Sequence, residues 1–300
     1  MKSIISLNFM TKPTIFHCQK AGLLTTVQDG GRIGFQAFGV PVAGVMDSVS
    51  AKIANELVGN LSDAPILEIT LFGPALKIEG AAIIALSGAD LTARINGNRL
   101  PLYESILLKD GDIISFGKPK NGCRAYLAIA GDWQVEKWLN SASAASQNVE
   151  TLTPDSILKK GSQLKIQPNL SFSKKIYPRE LGPKFPDLIR VRVMPGPEFS
   201  LFSKTIIDHF FGKIHHISSQ YNRMGIRLVE KLLDFQPTQE LISSGLVIGT
   251  IQVTNSGQPI ILMRDAQTTG GYWRIGNVIS EDLNKLAQVT AGDGIWLSLV

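Results

Sequence analysis

Similar short signals occur twice in this chain, in the same order, on either side of one stretch rich in proline, lysine and serine. "GRIG" at Gly31–Gly34 is matched by "NRMG" at Asn222–Gly225. "AIIALSGAD", ending at Asp90, is matched by "PIILMRDAQ", ending at Gln267, and "DGDIISF" from Asp110 by "AGDGIWL" from Ala291. Each match is short enough to arise by chance, but their shared order points to an internal duplication. The intervening "QPNLSFSKKIYPRELGPKFPD" (Gln167–Asp187) reads as an inter-domain linker. The expected organisation is an N-terminal extension over 1–12, a first domain over 13–167, a linker over 168–187 and a second domain over 188–300. Two facing domains of one fold would leave a cleft between them.

Glycines and prolines, 28 and 15 of them, punctuate short runs rich in Ile, Val and Leu, so each domain should be mainly β. Strand-like runs are "TIFHCQ", "APILEIT", "ALKI", "AAIIALSG", "LTARING", "SILL", "DIISFG" and "RAYLAIAG", separated by turn signals such as "NGN", "KDGD" and "PKNG". Helical spacing is scarcer. In "MDSVSAKIANELVGN" an N-cap at Asp47 or Ser48 precedes a face of Ile53, Ala54, Leu57 and Val58, and Gly59 ends the run. Glu198–Gly212 and Ser280–Val289 are the other helical candidates; Ser280 is the expected cap of the second, with Glu281 and Asp282 in its first turn.

A formal charge of +5 is spread along the chain without a basic block, which argues against nucleic-acid binding and suits a mild affinity for anionic substrates. Cys18 and Cys123 fit neither a disulfide framework nor a zinc pattern. No run is long enough to span a bilayer, and "MKSIISLNFM" makes a poor signal peptide, so the expectation is a cytoplasmic protein whose true start could be Met10.

Three stretches could carry chemistry. In "TTVQDGGRIGFQAFGVPVAGVMD" (Thr25–Asp47), Gln28, Asp29 and Arg32 sit among five glycines; Asp29 and Arg32 can pair with each other or present both charges to a small polar ligand. The second, "SSQYNRMGIRL", puts Arg223 in the place of Arg32. The third, "RDAQTTGGYW", follows the apolar run "PIILM". Asp265, Gln267, Thr268 and Thr269 emerge where that strand would end, and Gly270 and Gly271 could free backbone N–H groups for an oxyanion; the bland alternative is a polar turn. Glu68 interrupts an apolar run, as a buried paired carboxylate with a raised pKa or as the outward position of an edge strand. The four histidines lack ligand spacing, so no metal is expected, and no Gly-x-Ser-x-Gly, dinucleotide or P-loop signature occurs.

Taken together, "GLLTTVQDGGRIGFQAFGVPVAGVMDSVSAKIANELVGN", "LEITLFGPAL", "NRMGIRL", "SSGLVIGTIQV" and "DAQTTGGY" resemble the allophanate hydrolase subunit 2 family. That family includes the C subunit of the bacterial ATP-dependent 5-oxoprolinase, the carboxyltransferase region of urea carboxylase, and an antagonist of a sporulation-kinase inhibitor. The resemblance runs from about Thr14 to Val300. It implies two cyclophilin-like β-barrel domains, and partners of two kinds: an allophanate hydrolase subunit 1 homologue (the B subunit of the oxoprolinase) and a LamB/YcsF-type protein (its A subunit). It further implies ATP-coupled opening of the lactam of 5-oxo-L-proline to L-glutamate, with ATP and Mg used at the level of the complex. The implied site takes Asp265, Asp29 and Glu68 as catalytic candidates. Arg32, Gln28, Arg223, Gln267, Thr268, Thr269, Gly270, Gly271 and Tyr272 are the candidate substrate-binding residues.

The chain departs from the family pattern in places. A strand like "RAYLAIAGG" that runs on into a Leu-Gly-Ser-x-Ser-Thr segment is usual; here the chain has "RAYLAIAGD" and "LNSASA", with Asp132, Asn140 and Ala144 at the usual Gly, Gly and Thr. The Gly-Gly and Gly-Arg turns usual next are absent from "ASQNVETLTPDSILKKGSQL", Ser162 replaces an Asp, Asn222 replaces the acid of Ser-Asp-Arg-Met-Gly, and Trp273 replaces a Pro. The leading expectation is an oxoprolinase component that is active only in a complex. The alternatives are a biotin-dependent carboxyltransferase component, whose biotin would ride on another chain because no Ala-Met-Lys-Met occurs here, and a non-catalytic regulatory module.

Overall fold

Alternation decides the strands. In Leu188–Pro195, Ile189, Val191 and Val193 turn inward while the residues between them face water, the period-two pattern of a half-buried sheet. The computed structural model describes residues 12–144, 152–237 and 241–300. Residues 1–11, and with them most of the expected extension and the Met10 start, lie outside the described residues, as do 145–151 of the altered segment.

The first twelve strands form two sheets. One runs, in spatial order, β11 (Gly131–Trp133), β12 (Gln163–Pro168), β1 (Thr14–Lys20), β4 (Ala75–Glu79), β9 (Ile113–Ser115), β6 (Arg94–Ile95) and β7 (Asn98–Arg99). The other runs β2 (Leu24–Gln28), β3 (Ile66–Thr70), β10 (Asn121–Ile129), β5 (Ala82–Asp90) and β8 (Ser105–Leu108). Phe16, Leu76 and Ile78 of the first sheet and Val27, Leu67, Leu86 and Leu127 of the second close one core between them. The outer face of the second sheet is covered by α1 (Ser48–Val58) through Ala51, Ile53, Ala54 and Leu57 against Ile66, Ala85, Tyr126 and Ala128. Strands β5 and β10 are therefore buried on both faces over most of their length, which is why "AIIAL" and "AYLAI" show no apolar–polar alternation.

The remaining strands close a barrel in the order β13 (Leu188–Pro195), β20 (Trp273–Val278), β17 (Thr250–Val253), β18 (Pro259–Leu262), β15 (Gly225–Leu228), β14 (Ile214–Tyr221) and β21 (Gly294–Leu299). The parallel pairing of β13 with β21 shuts it, and Val191, Ile226, Ile251, Ile261 and Leu297 fill the interior. A two-stranded ribbon, β16 (Ser244–Gly245) with β19 (Thr269–Gly270), stands beside it. The mainly-β fold is thus observed, with three short α-helices among the described residues. The stretch over 168–187 lies against the first half: Ser105 N–H donates to Lys175 O (2.9 Å) and Tyr177 N–H to Tyr103 O (2.9 Å).

Local signals hold where nothing distant competes. Asp47 caps α1, its carboxylate accepting from Ser50 N–H (3.0 Å), and Gly59 at φ 80 ends it. Asn96 and Gly97, both at positive φ, make the tight turn between β6 and β7. Elsewhere the structure corrects the reading. "LTARING" yields only the two residues of β6, because Asp90 caps Thr92 N–H (2.9 Å) and Thr92 turns the chain at φ 51. The helix read over Glu198–Gly212 is a 3-10 turn, then α2 (Lys204–Phe211) capped by Ser203. Ser280 caps nothing; it opens a 3-10 turn that leads to a four-residue α3 (Leu283–Leu286). There the Asp282 carboxylate is drawn to Arg192 N–H (2.8 Å) and its guanidinium, and to Lys285 Nζ (2.7 Å).

Candidate functional site

The two halves meet across polar groups. Glu68 lies mid-way along β3, Arg223 in the turn between β14 and β15, and Asp265 in the turn after β18. Asn222 holds the second turn by accepting from Met224 N–H (2.8 Å) and Gly225 N–H (3.2 Å), so the substituted side chain works as a turn acceptor. Arg223 Nε and Nη2 reach the two oxygens of Asp265 at 2.8 and 2.9 Å, and Nη1 reaches Glu68 Oε1 at 2.5 Å. Nη2 also donates to Gly44 O (2.7 Å) and Gln28 Oε1 (3.3 Å). Every nitrogen of Arg223 is therefore taken by protein acceptors, and the residue is a clamp between the halves.

Glu68 is fully buried on a strand flanked by β2 and β10, so it is not on an edge. Burial pushes its carboxyl up, but Arg223 and Arg124 outweigh burial and hold it below the usual range, opposite to the raised pKa expected. Tyr126 Oη (2.9 Å) and Met46 N–H (2.8 Å) complete its shell. Burial also opposes the charge on Arg223, which Asp265 and Glu68 restore and push above its ordinary value. Gln288 ties the far side, accepting from Cys123 and Arg124 N–H and donating to Asp47 Oδ2 (2.8 Å) and Arg124 O (3.0 Å).

Asp29 and Arg32 belong to a second network. Asp29 accepts from Ser141 Oγ (2.6 Å), Ser143 Oγ (2.6 Å), Gly31 N–H (2.9 Å) and Ala142 N–H (2.6 Å). Arg32 donates to Ser143 O and lies 4.9 Å over the Trp138 ring, while burial lowers its pKa. These partners are the serines of "LNSASA". Asn140, at the usual glycine, sits at φ 63, a conformation Asn tolerates better than most residues. Arg32 and Arg223 thus serve separate networks.

Gln267 and Tyr272 line a third feature, a groove of about 620 Å³ on the barrel wall. Ser219, Asn222, Arg227 and Gln252 line it with them, over Met224, Ile260 and Leu262. Gln252 is buried; its Oε1 accepts from Gln267 Nε2 (3.4 Å), and its Nε2 has no partner among the described residues. Arg227 is exposed and makes no ion pair among the described residues. Thr268 is buried with its carbonyl bound to Leu246 N–H, and Thr269 and Gly270 form β19. The glycine pair serves close approach: a Cβ on Gly270 would lie 2.9 Å from Gln252 Nε2, and one on Gly271 2.8 Å from Leu241 O.

Reading the sequence missed Gln252, Arg227, Arg124, Gln288 and the two serines that hold Asp29. Only the serines left a signal, as the retained hydroxyls of an altered motif. Among the described residues no three His, Cys, Asp or Glu side chains are grouped to hold a metal ion, and no helix is long and apolar enough to cross a membrane.

Residues 38–298 match the model of the carboxyltransferase domain, subdomain A and B. The chain belongs to this family. It is 39% identical over 279 residues to the C subunit of the 5-oxoprolinase of Escherichia coli, covering 92% of this chain and 88% of that relative. It is 31% identical over 276 residues to the C subunit of the 5-oxoprolinase of Haemophilus influenzae, with the same coverage of each. The solved urea amidolyase of K. lactis superposes with a TM-score of 0.87 at 31% identity, over 98% of this chain but 19% of that much longer one. The carboxyltransferase-domain match spans both halves and the seam, so Glu68, Arg223 and Asp265 all fall inside it.

Proposed function

We propose that this chain is the counterpart of the C subunit in an ATP-dependent 5-oxoprolinase that opens 5-oxo-L-proline to L-glutamate. The observation that carries this reading is the similarity to the C subunits of two 5-oxoprolinases along 88% of their length, whereas the urea amidolyase counterpart is under a fifth of its chain. The chain works with an allophanate hydrolase subunit 1 homologue (the B subunit) and a LamB/YcsF-type protein (the A subunit), and ATP with Mg is used at the level of that complex.

The groove suits the substrate. The unpartnered amide N–H of Gln252 donates to the lactam oxygen, Gln267 Oε1 accepts from the ring N–H, and Arg227 takes the carboxylate. A lactam is unreactive, so phosphorylation of its oxygen by ATP, with ADP leaving, readies the carbon for water. The C–N bond then breaks as the nitrogen takes a proton and leaves as the amine, and a second water displaces inorganic phosphate from the resulting acyl phosphate to give glutamate. Asp265 fixes the turn from which Gln267 projects, through its bonds to Arg223.

The test is to co-purify the chain with its neighbouring-gene partners and measure ADP and glutamate release on 5-oxoproline. Omission of the chain should abolish coupled release, and Gln252→Leu should raise KM for 5-oxoproline roughly tenfold or more, as expected when a buried polar partner is removed. Full activity without the chain, or an unchanged KM, would reject the reading. The match to a carboxyltransferase domain supports a second reading, transfer of a carboxyl group from biotin on another chain. Inhibition by avidin would favour it.

A further inference from the structure

Arg264, the first residue of "RDAQTTGGYW", takes no part in the networks above. Its backbone is fixed, since Ala43 N–H donates to its carbonyl (3.0 Å) and Asp265 N–H donates to Arg223 O (2.8 Å). Its guanidinium reaches no acceptor among the described residues. It lines a cavity of about 280 Å³ between the halves, with Asp29, Gly30, Val45, Ser48, Lys52 and Asp63 among the other walls. The site lies apart from the groove, with which it shares no lining residue.

A partly buried guanidinium without a partner costs stability, and burial together with the like charge of Arg223 pushes its pKa down. The nearby acids Glu68 and Asp265 offset this only in part. Glu68 and Asp265 are engaged by Arg223, and Asp29 already accepts from four donors. Asp63, also on the cavity wall, makes no ion pair with it. Lys52 adds a second cation; its contact with Glu56, at 3.7 Å on the exposed helix surface, is loose enough to exchange. A cation held on a fixed backbone, unpaired and facing an open pocket, is what a small anion requires.

We propose that Arg264, with Lys52, forms an oxyanion-binding site at the seam, taking a carboxylate or phosphate through the planar fork of the guanidinium. The inference is independent of the oxoprolinase reading, and either a phosphoryl product or a carboxylate metabolite would supply the same chemistry.

The test uses the full chain in anion-poor buffer at fixed ionic strength. Inorganic phosphate and L-glutamate are titrated separately and followed by calorimetry and thermal melting; whichever anion binds identifies the source. One of them should raise Tm saturably. Arg264→Met should weaken that binding at least tenfold and Arg264→Lys less, because lysine keeps the charge but loses the fork. Arg264→Met should also melt no lower than wild type without anion, since it removes an unpaired charge. Asp63→Asn, a change at the rim, should tighten binding severalfold. Wild-type-like affinity in Arg264→Met, or no binding of either anion to wild type up to about 20 mM, would overturn the proposal.

Discussion

Arg223→Met should be the most damaging single substitution at the seam. Arg223 is 6% exposed, Glu68 1% and Asp265 7%, and five hydrogen bonds join this one guanidinium to both halves. Methionine keeps much of the volume but leaves two buried carboxylates. Glu68 retains Tyr126, Met46 N–H and, at 3.7 Å, Arg124 Nε, whereas Asp265 loses the one ion pair it makes among the described residues. Removing one partner of a buried ion pair costs about 3–5 kcal/mol, or roughly 6–20 °C in Tm for domains of this size.

Urea unfolding across pH separates this account from a mere loss of packing. In the native protein Glu68 sits below its unfolded pKa, so it adds stability above about pH 4.3 that is lost as pH falls. Without Arg223, burial is opposed only by Arg124, Met46 N–H and Tyr126, so the folded pKa of Glu68 rises, and the variant's deficit should shrink as pH drops from 7 toward about 4. The triple variant Arg223→Met/Glu68→Gln/Asp265→Asn should recover most of the loss. A single variant within about 1 kcal/mol of wild type, or a triple variant no better than the single, would refute the clamp.

Three further outcomes are expected. Gly44→Ala forces a Cβ to 3.0 Å from Asp29 O at a φ of 84, beside the carbonyl that accepts from Arg223, and should cost about 1–3 kcal/mol in chemical denaturation. Asp29→Ala should raise amide exchange at Ala142 at least about tenfold, because that N–H loses its acceptor while the barrel amides stay protected. Asp282 is pushed up by burial but held at about 2 by Arg192 and Lys285. It adds stability above about pH 4 that drains as pH falls through 2, so Asp282→Asn should flatten the acid limb of a stability–pH curve in that window.

What could be read from the sequence was whatever is decided locally. The cap of α1, its glycine stop and the Asn96–Gly97 turn depend on residues a few positions apart, and all three stand. Ser280 failed as a cap because a residue 90 positions upstream, Arg192, claims Asp282. Glu68 could not be resolved for the same reason. Its chief partner, Arg223, is 155 residues away, and only the assembled seam turns an apparently misplaced acid into an ion pair. Gln252 and Arg264 left no signal because what marks them is a missing partner, a property of the surroundings and not of spacing. The family resemblance pointed to these stretches, but it could not say that Asp29 faces inward to protein donors and Arg223 to protein acceptors.

That inward orientation bears on how the proposed lactam opening would run. A general base needs a free lone pair within reach of the attacking water. Asp29 spends its oxygens on Ser141, Ser143 and two backbone N–H groups, and Glu68 and Asp265 spend theirs on Arg223 and its neighbours. The groove offers amides, hydroxyls and Arg227, but its lining contains no carboxylate and no histidine. These are groups that bind and orient a small amide; they do not take a proton from water. On the proposed reading the base therefore comes from a partner protein seated over the groove. On that reading, dependence on a complex follows from the chemistry of the lining: this chain would hold the lactam, and another chain would supply the group that activates water.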